Sequence, residues 1–465
     1  MIDQTFDAEL DAYLDAHWDE MVTDLDSLVR IQSVEDPATA GPGAPFGQGP
    51  ARALQAGLDL CARFGARPEN LDGYCGVADF PGESATQIGV IGHLDVVPAG
   101  EGWHFDPWRV TRTKGYLIGR GTGDDKGPLL MALHAARFLF GRSGRFPYTL
   151  RFILGANEET GMADVRHFHE VYADPALVFT PDDEFPVCYG EKGQLQGAFA
   201  CPVPADARVE RFTGGMALNA VPARAEVIVR ADQAPAASRI TAEPAGPGRM
   251  RLVAQGVQAH ASTPEGGVNA IHLLAAYLLE HDLCAPSERP WFELVARASG
   301  ASDGSSFGIA SSDDAFGPLT MVAGLASEAE GERRLTIDVR FTSALPVEAL
   351  QEALDAQAAD CGACWEATRV EPVFLMDPQG DFIRALAHSY RDVSGDDQPP
   401  FTIGGGTYAR SFATAAGFGS AVHGEEIPSW VGGMHAADEG VPEDQLKQAF
   451  KVYAVALDRL MKLDL

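Results

Sequence analysis

The sequence predicts an α/β protein, a three-layer α/β/α domain interrupted by an inserted α+β domain. Short β-branched runs alternate with helical patterns up to Glu191. After Gly190-Glu191-Lys192-Gly193 the texture changes to strands with helices on one side, and from about Gln379 the alternating pattern resumes. The first domain is therefore expected to be discontinuous, residues 1–191 and 379–465, with residues 192–378 as the insert.

In chain order, Phe6 to Ile31 spaces Leu10, Tyr13, Leu14, Met21, Leu25, Leu28 and Val29 among acids, the pattern of an amphipathic helix and not of a secretory apolar core. Pro37 to Pro50, rich in Gly, Pro and Ala, reads as a surface loop, and Ala51 to Phe64 as the next helix. Ile88-Gly-Val-Ile91 is short, β-branched and bounded by Gly, a buried strand ending at His93. Leu129 to Phe140 is a helix that Pro128 can open. Tyr148 to Leu154 and Ala176 to Phe179 are strands with a helix, Val165 to Tyr172, between them. Within the insert, Leu195 to Val203, Ala225 to Arg230, Arg249 to Gln255 and Arg333 to Phe341 read as strands, and Val268 to Glu280 and Val347 to Ala359 as helices. Helices at Ile383 to Val393 and Glu443 to Leu460 close the chain.

The chemistry gathers where strands end, the edge of an open α/β sheet at which ligands bind. His93 and Asp95 follow the first strand, Asp124 lies in a Gly-rich turn ahead of Pro128, Glu158 and Glu159 follow the next strand, and Asp182 the one after. Singly, His93 reads as a turn residue and Asp124 as a helix cap. Together, three strand ends and a Gly-rich turn delivering carboxylates and an imidazole to one edge point to a divalent-cation site. Adjacent carboxylates such as Glu158 and Glu159 can divide the work, one ligating and its neighbour moving protons. In the Gly404-to-Arg410 segment a Gly-rich turn, with Gly405 and Thr407, enters a helix whose N–H groups suit a carboxylate; without a Walker pattern it does not point to a nucleotide. His260 alone is a turn histidine, His435 a loop histidine before the last helix, His104 a packing residue, and Cys361-Gly-Ala-Cys364 structural.

Gly92-His93-Leu94-Asp95-Val96-Val97-Pro98, Gly119-Arg120-Gly121 with Asp124-Asp125-Lys126-Gly127-Pro128, Asn157-Glu158-Glu159-Thr160-Gly161, Thr180-Pro181-Asp182 and Gly433-Met434-His435 resemble the co-catalytic metallopeptidases that include carnosinases, aminoacylases and glutamate carboxypeptidases. Within that family the chain is most similar to the bacterial dipeptidases of the peptidase V type. The resemblance implies two divalent ions, with Zn²⁺ the first choice and Mn²⁺ or Co²⁺ suited to the same ligands. Asp124 would bridge them, His93 and Asp182 completing one shell and Glu159 and His435 the other, around a shared hydroxide. It further implies Glu158 as general base, Asp95 as the residue orienting His93, His260 as oxyanion donor, and Asn219 and Arg340 as substrate-carboxylate contacts. A cis peptide between Asp124 and Asp125 also follows from it. The implied activity is hydrolysis of dipeptides with free termini; the alternatives are an N-acyl amino acid deacylase of aminoacylase or desuccinylase type and, from another class, a non-catalytic peptide-binding protein. The long insert resembles the version of the fold that works as a monomer.

The formal charge of −31, from 66 acidic and 35 basic residues, argues against nucleic acid or an anionic membrane as partner, because both demand clustered Lys and Arg. No stretch has the apolar length of a membrane span. Seven scattered cysteines agree with a reducing compartment, so a soluble cytoplasmic protein is expected.

Overall fold

The computed structural model describes residues 2–424 and 427–465. The chain forms two compact units: Met1–Tyr189 with Leu375–Phe401 and Gly406–Leu465, and Gly190–Phe374 with Thr402–Gly405. The four residues Thr402–Gly405, which the sequence reading left in the first domain, thus belong with the second unit. Lys192 N–H donates to the Ile403 carbonyl and the Thr402 hydroxyl to that of Ala315, so local pairing outweighs chain proximity.

The first unit is a three-layer α/β/α arrangement. Its sheet runs in the spatial order Arg67–Leu71, Cys75–Phe80, Phe146–Gly155, Gly82–His93, Leu177–Thr180, Ala415–Gly417. The last four strands are mutually parallel and the first two antiparallel. A parallel sheet covered on both faces needs near-continuous apolar runs, and Ile88, Val90, Leu150, Phe152, Val178 and Phe179 are all fully buried. Each such side chain contributes roughly 1.5–3 kcal/mol by leaving water. The strand ending at His93 begins earlier than its apolar run, because Gly82–Gln87 pairs with Phe146–Thr149 along a half-exposed, irregular stretch.

The register places the site. Gly92 pairs with Leu154 and His93 with Gly155, so the carboxyl ends of the two neighbouring strands stop level. The helix after Asp124 runs Lys126–Ser143, opening three residues before Leu129 without a side-chain cap and ending at Gly144 in the left-handed region, φ +67. It packs on the terminal helix Glu443–Leu460, which in turn packs on Asp381–Ser394. The Pro37–Pro50 stretch is not wholly a surface loop. Phe46 is buried edge-on against Tyr74 at 5.4 Å, and the next helix already starts at Gln48.

The second unit has one antiparallel eight-stranded sheet, ordered Ile240–Pro244, Met250–Gln255, Arg224–Val229, Val209–Gly214, Thr320–Ala329, Glu332–Phe341, Gly193–Pro202, Cys364–Glu371. Helices Ala270–Glu280, Arg289–Gly300 and Val347–Ala359 share its apolar cluster. The sequence reading did not include Arg289–Gly300, whose Pro290 suits only a first helical turn. It also omitted the strands Val209–Gly214, Ile240–Pro244, Thr320–Ala329 and Cys364–Glu371, where charged, proline or glycine positions interrupt the period-two pattern. No helix among the described residues is long and apolar enough to cross a membrane.

Gly155 closes the strand that leads to Glu158, and a Cβ there would lie 2.0 Å from the Tyr408 hydroxyl and 2.7 Å from an Asp164 carboxylate oxygen. Gly155→Ala should therefore lower stability by about 1–3 kcal/mol, measured as a shifted denaturant midpoint; an unchanged midpoint would show that this packing is not tight.

Candidate metal centre

His93, at the end of its strand, is fully buried and has acceptors at both ring nitrogens. Nδ1 lies 3.0 Å from the Asp95 carbonyl and Nε2 lies 3.0 Å from Asp124 Oδ1 and 3.6 Å from Asp182 Oδ2. With a hydrogen on Nδ1 directed at the carbonyl, Nε2, on the side of Asp124 and Asp182, is the nitrogen that could bind a cation on losing its own proton. The Asp95 carboxylate is more distant, 3.5 Å from Nδ1, and does something else. Its two oxygens accept the N–H groups of Glu158 and Glu159, each at 3.2 Å. The Asp95 carbonyl is thus the nearer partner of His93 Nδ1, and the carboxylate, besides facing the same nitrogen, accepts from the loop that carries the paired glutamates.

Asp124 presents one oxygen to each of two histidines. Oδ1 faces His93, and Oδ2 lies 3.0 Å from His435 Nε2, which is also 3.0 Å from Glu159 Oε2. His435 reaches this place from a left-handed backbone, φ +65. The Asp124–Asp125 peptide is cis. Glu159 Oε1 accepts the Val97 N–H at 3.3 Å. Two groups, His93 with Asp124 and Glu159, and His93 with Glu158 and Asp182, bring ligand atoms within 4.8 Å of one another.

The electrostatics are those of crowded carboxylates. Burial and the nearby Asp182 push Glu158 well above its ordinary value, and burial and Asp124 push Asp182 up to about 7. Burial also works against ionised Asp124, but hydrogen bonds from His435 and His93 outweigh it and hold this carboxyl well below the usual range. Hydrogen bonds to Asp124 and Glu159 raise His435 to about 10. Among the described residues, the ion-pair partners of Asp124, Glu159 and Asp182 are these histidines, with no Lys or Arg. Two imidazoles and four carboxylates form a donor set suited to divalent cations.

Supporting groups lie one layer out. Asp164 accepts the N–H groups of Ala156 and Asn157 at 2.7 and 2.8 Å and the Tyr408 hydroxyl. With Asp95 it thereby takes up four consecutive N–H groups, from Ala156 to Glu159. Glu439 accepts from the Asp124 turn and pairs with Arg120. The sequence reading missed Asp164, Tyr408, Arg120 and Glu439. Arg120 stands inside a quoted motif and Tyr408 inside the Gly404-to-Arg410 segment, but only contacts reveal their roles.

The other expected residues fall as follows. His260 is exposed on a two-stranded ribbon in the second unit, where Ala220 pairs with it, and its Nδ1 is 2.7 Å from the Ser262 hydroxyl. Asn219 precedes that ribbon, and its carbonyl accepts the Ala261 N–H. Arg340 is buried, forked onto Asp338 at 2.6 and 3.0 Å and donating to the Gly404 carbonyl at 3.1 Å. The Gly-rich turn at Gly405 leads into a single four-residue 3₁₀ turn, Tyr408–Ser411, rather than a helix, and the Thr407 hydroxyl caps it. It lacks the stacked N–H array on which the carboxylate reading rested. His104 is not packed either: its exposed ring is held 2.6 Å from Asp438.

This sheet edge and its donor set define a hydrolase of the metal-dependent class. The sequence profile of Peptidase family M20/M25/M40 matches residues 89–459, and the chain belongs to that family of peptide hydrolases. The protein YtjP of Bacillus subtilis (strain 168) is 29% identical over 464 residues, covering 96% of this chain and 98% of the relative. The Beta-Ala-Xaa dipeptidase of Lactobacillus delbrueckii subsp. lactis is 29% identical over 472 residues, covering 96% and 97%. Human carnosine dipeptidase 1 has a similar fold, with TM-score 0.60 at 16% identity over 98% of this chain and 100% of that one.

With His435 raised to about 10, a cation that takes its ring nitrogen at neutral pH would have to displace a proton. Loading the chelator-stripped protein with Zn²⁺ should release protons, and affinity should fall as pH falls. Calorimetry in buffers of different ionisation enthalpy reads the release directly; a buffer-independent heat would contradict it.

Proposed function

We propose that this chain is a metal-dependent dipeptidase acting on dipeptides with free amino and carboxyl ends. The observation that carries the reading is Asp124, whose two oxygens each face a different histidine 3.0 Å away. We assign Asp124, His93 and Asp182 as the residues that would hold one divalent cation, and Asp124, Glu159 and His435 as those that would hold a second. Zn²⁺ suits this mixture of imidazole and carboxylate best, and Mn²⁺ or Co²⁺ would accept it. Bound there, such ions polarise the scissile carbonyl and acidify a water.

The protein's own groups supply the rest. Glu158 lies beside His93 and Asp182 and carries no ion pair among the described residues, as suits a group that takes a proton from the attacking water and returns it to the leaving amine. To the second unit we assign the substrate contacts: His260 as donor to the developing oxyanion, and Asn219 and Arg340 to the terminal carboxylate. Arg340 uses three of its five N–H groups on Asp338 and Gly404, which leaves two for a ligand. The names of the relatives support the dipeptide substrate, and the net charge of −31 supports a small-molecule rather than nucleic-acid partner. A cytoplasmic monomer completes the proposal.

Glu158→Gln should retain both cations, measured by elemental analysis, while turnover falls ~10²–10⁴-fold; near-normal turnover would remove Glu158 from the mechanism. The substrate reading is tested with free dipeptides beside N-acetyl amino acids, using stripped protein given Zn²⁺ or Mn²⁺. Cleavage confined to the acylated compounds would make the protein a deacylase.

A further inference from the structure

The Gly440–Pro442 segment pairs with Tyr116–Ile118, and Gly119 N–H donates to the Glu439 carbonyl, so the residues after His435 lie alongside the turn that leads to Asp124. There the Glu439 side chain is buried. Its Oε1 accepts three N–H groups, from Gly121 at 3.0 Å, Gly123 at 3.1 Å and Asp124 at 3.3 Å. Such convergence needs a left-handed residue in the turn, supplied by Gly121 at φ +88. Oε2 pairs with Arg120, itself buried under the Trp103 ring at 5.3 Å. The far guanidinium nitrogen of Arg120 donates to the His435 carbonyl at 3.3 Å and the Pro98 carbonyl at 3.4 Å.

One ion pair thus touches three segments: the turn ending in Asp124, the loop of His435 and the loop after His93. A buried ion pair contributes little net stability compared with a well-packed apolar pair, which makes positioning the better explanation for its presence. We propose that Arg120 and Glu439 are positioning residues that set the separation and orientation of Asp124 and His435, and with them the geometry of the two cations. The proposal rests on the reading of Asp124 and His435 as cation ligands.

The test compares wild type, Arg120→Lys, Glu439→Gln and Glu443→Gln. Glu443, four residues on, also accepts from the buried Trp18 and the exposed Arg112, and none of its side-chain bonds among the described residues reaches a ligand loop. It controls for ordinary loss of a structural carboxylate. Co²⁺ titration followed by visible absorption reads the site directly, denaturant unfolding reads the fold, and kcat and KM are measured separately. Folded Arg120→Lys and Glu439→Gln should bind Co²⁺ about 10–100-fold more weakly, with an altered spectrum, and lose kcat by a similar factor while KM changes little. Wild-type Co²⁺ spectra and kcat in either folded variant, or losses no larger than those of Glu443→Gln, would overturn the proposal. If Glu439→Gln fails to fold, Arg120→Lys, which keeps the charge balance but loses the fork, decides alone. Asp124→Asn separates the two levels: if it binds Co²⁺ as wild type does, the ligand reading itself is wrong.

Discussion

Four carboxylates and two imidazoles meet at the end of a parallel sheet, and that density of charge governs the rest of the structure. Two like charges 4 Å apart repel by about 4 kcal/mol at the effective dielectric of a protein site. Among the described residues, Asp124, Glu159 and Asp182 meet this with histidines and not with Lys or Arg. Protons offset part of the repulsion, as the elevated Glu158, Asp182 and His435 record. Divalent cations would offset more of it, at the same nitrogen and oxygen atoms.

Such a cluster also has to be held open against its own repulsion, and buried carboxylates one layer out take that task. Asp95 and Asp164 accept four consecutive N–H groups of the Ala156–Glu159 loop, and Glu439 accepts three from the Asp124 turn. A buried N–H without an acceptor costs about 1–3 kcal/mol, so these loops have few alternative conformations. The carboxylates at the centre are thereby placed by backbone, and their side chains remain available to a ligand.

Much of this was legible in the chain. Apolar runs such as Ile88–Ile91 and Tyr148–Leu154 identify buried strands because a covered parallel sheet admits little else, and the helices Val347–Ala359 and Glu443–Leu460 fall where their periodicity puts them. The misses share one cause. Arg289–Gly300, the Thr402–Gly405 segment and buried Phe46 take their state from distant partners, and local pattern carries no record of those. Likewise a Gly-rich turn before Tyr408 reads as a helix entrance, yet the chain continues for only one 3₁₀ turn.

For the site, residue type together with position at a strand end, or for Asp124 in the turn before Pro128, singled out His93, Asp124, Glu158, Glu159 and Asp182 as candidates, since ligand chemistry restricts the side chains that can serve. The sequence by itself determined the family and the fold class. Only the tertiary structure decided which oxygen of Asp124 faces which histidine, that the Asp95 carbonyl is the nearer partner of His93 while its carboxylate accepts from the loop of the paired glutamates, and that Glu439 and Arg120 join three loops. Those are matters of angle and distance between segments far apart in the chain, set by strand register and packing.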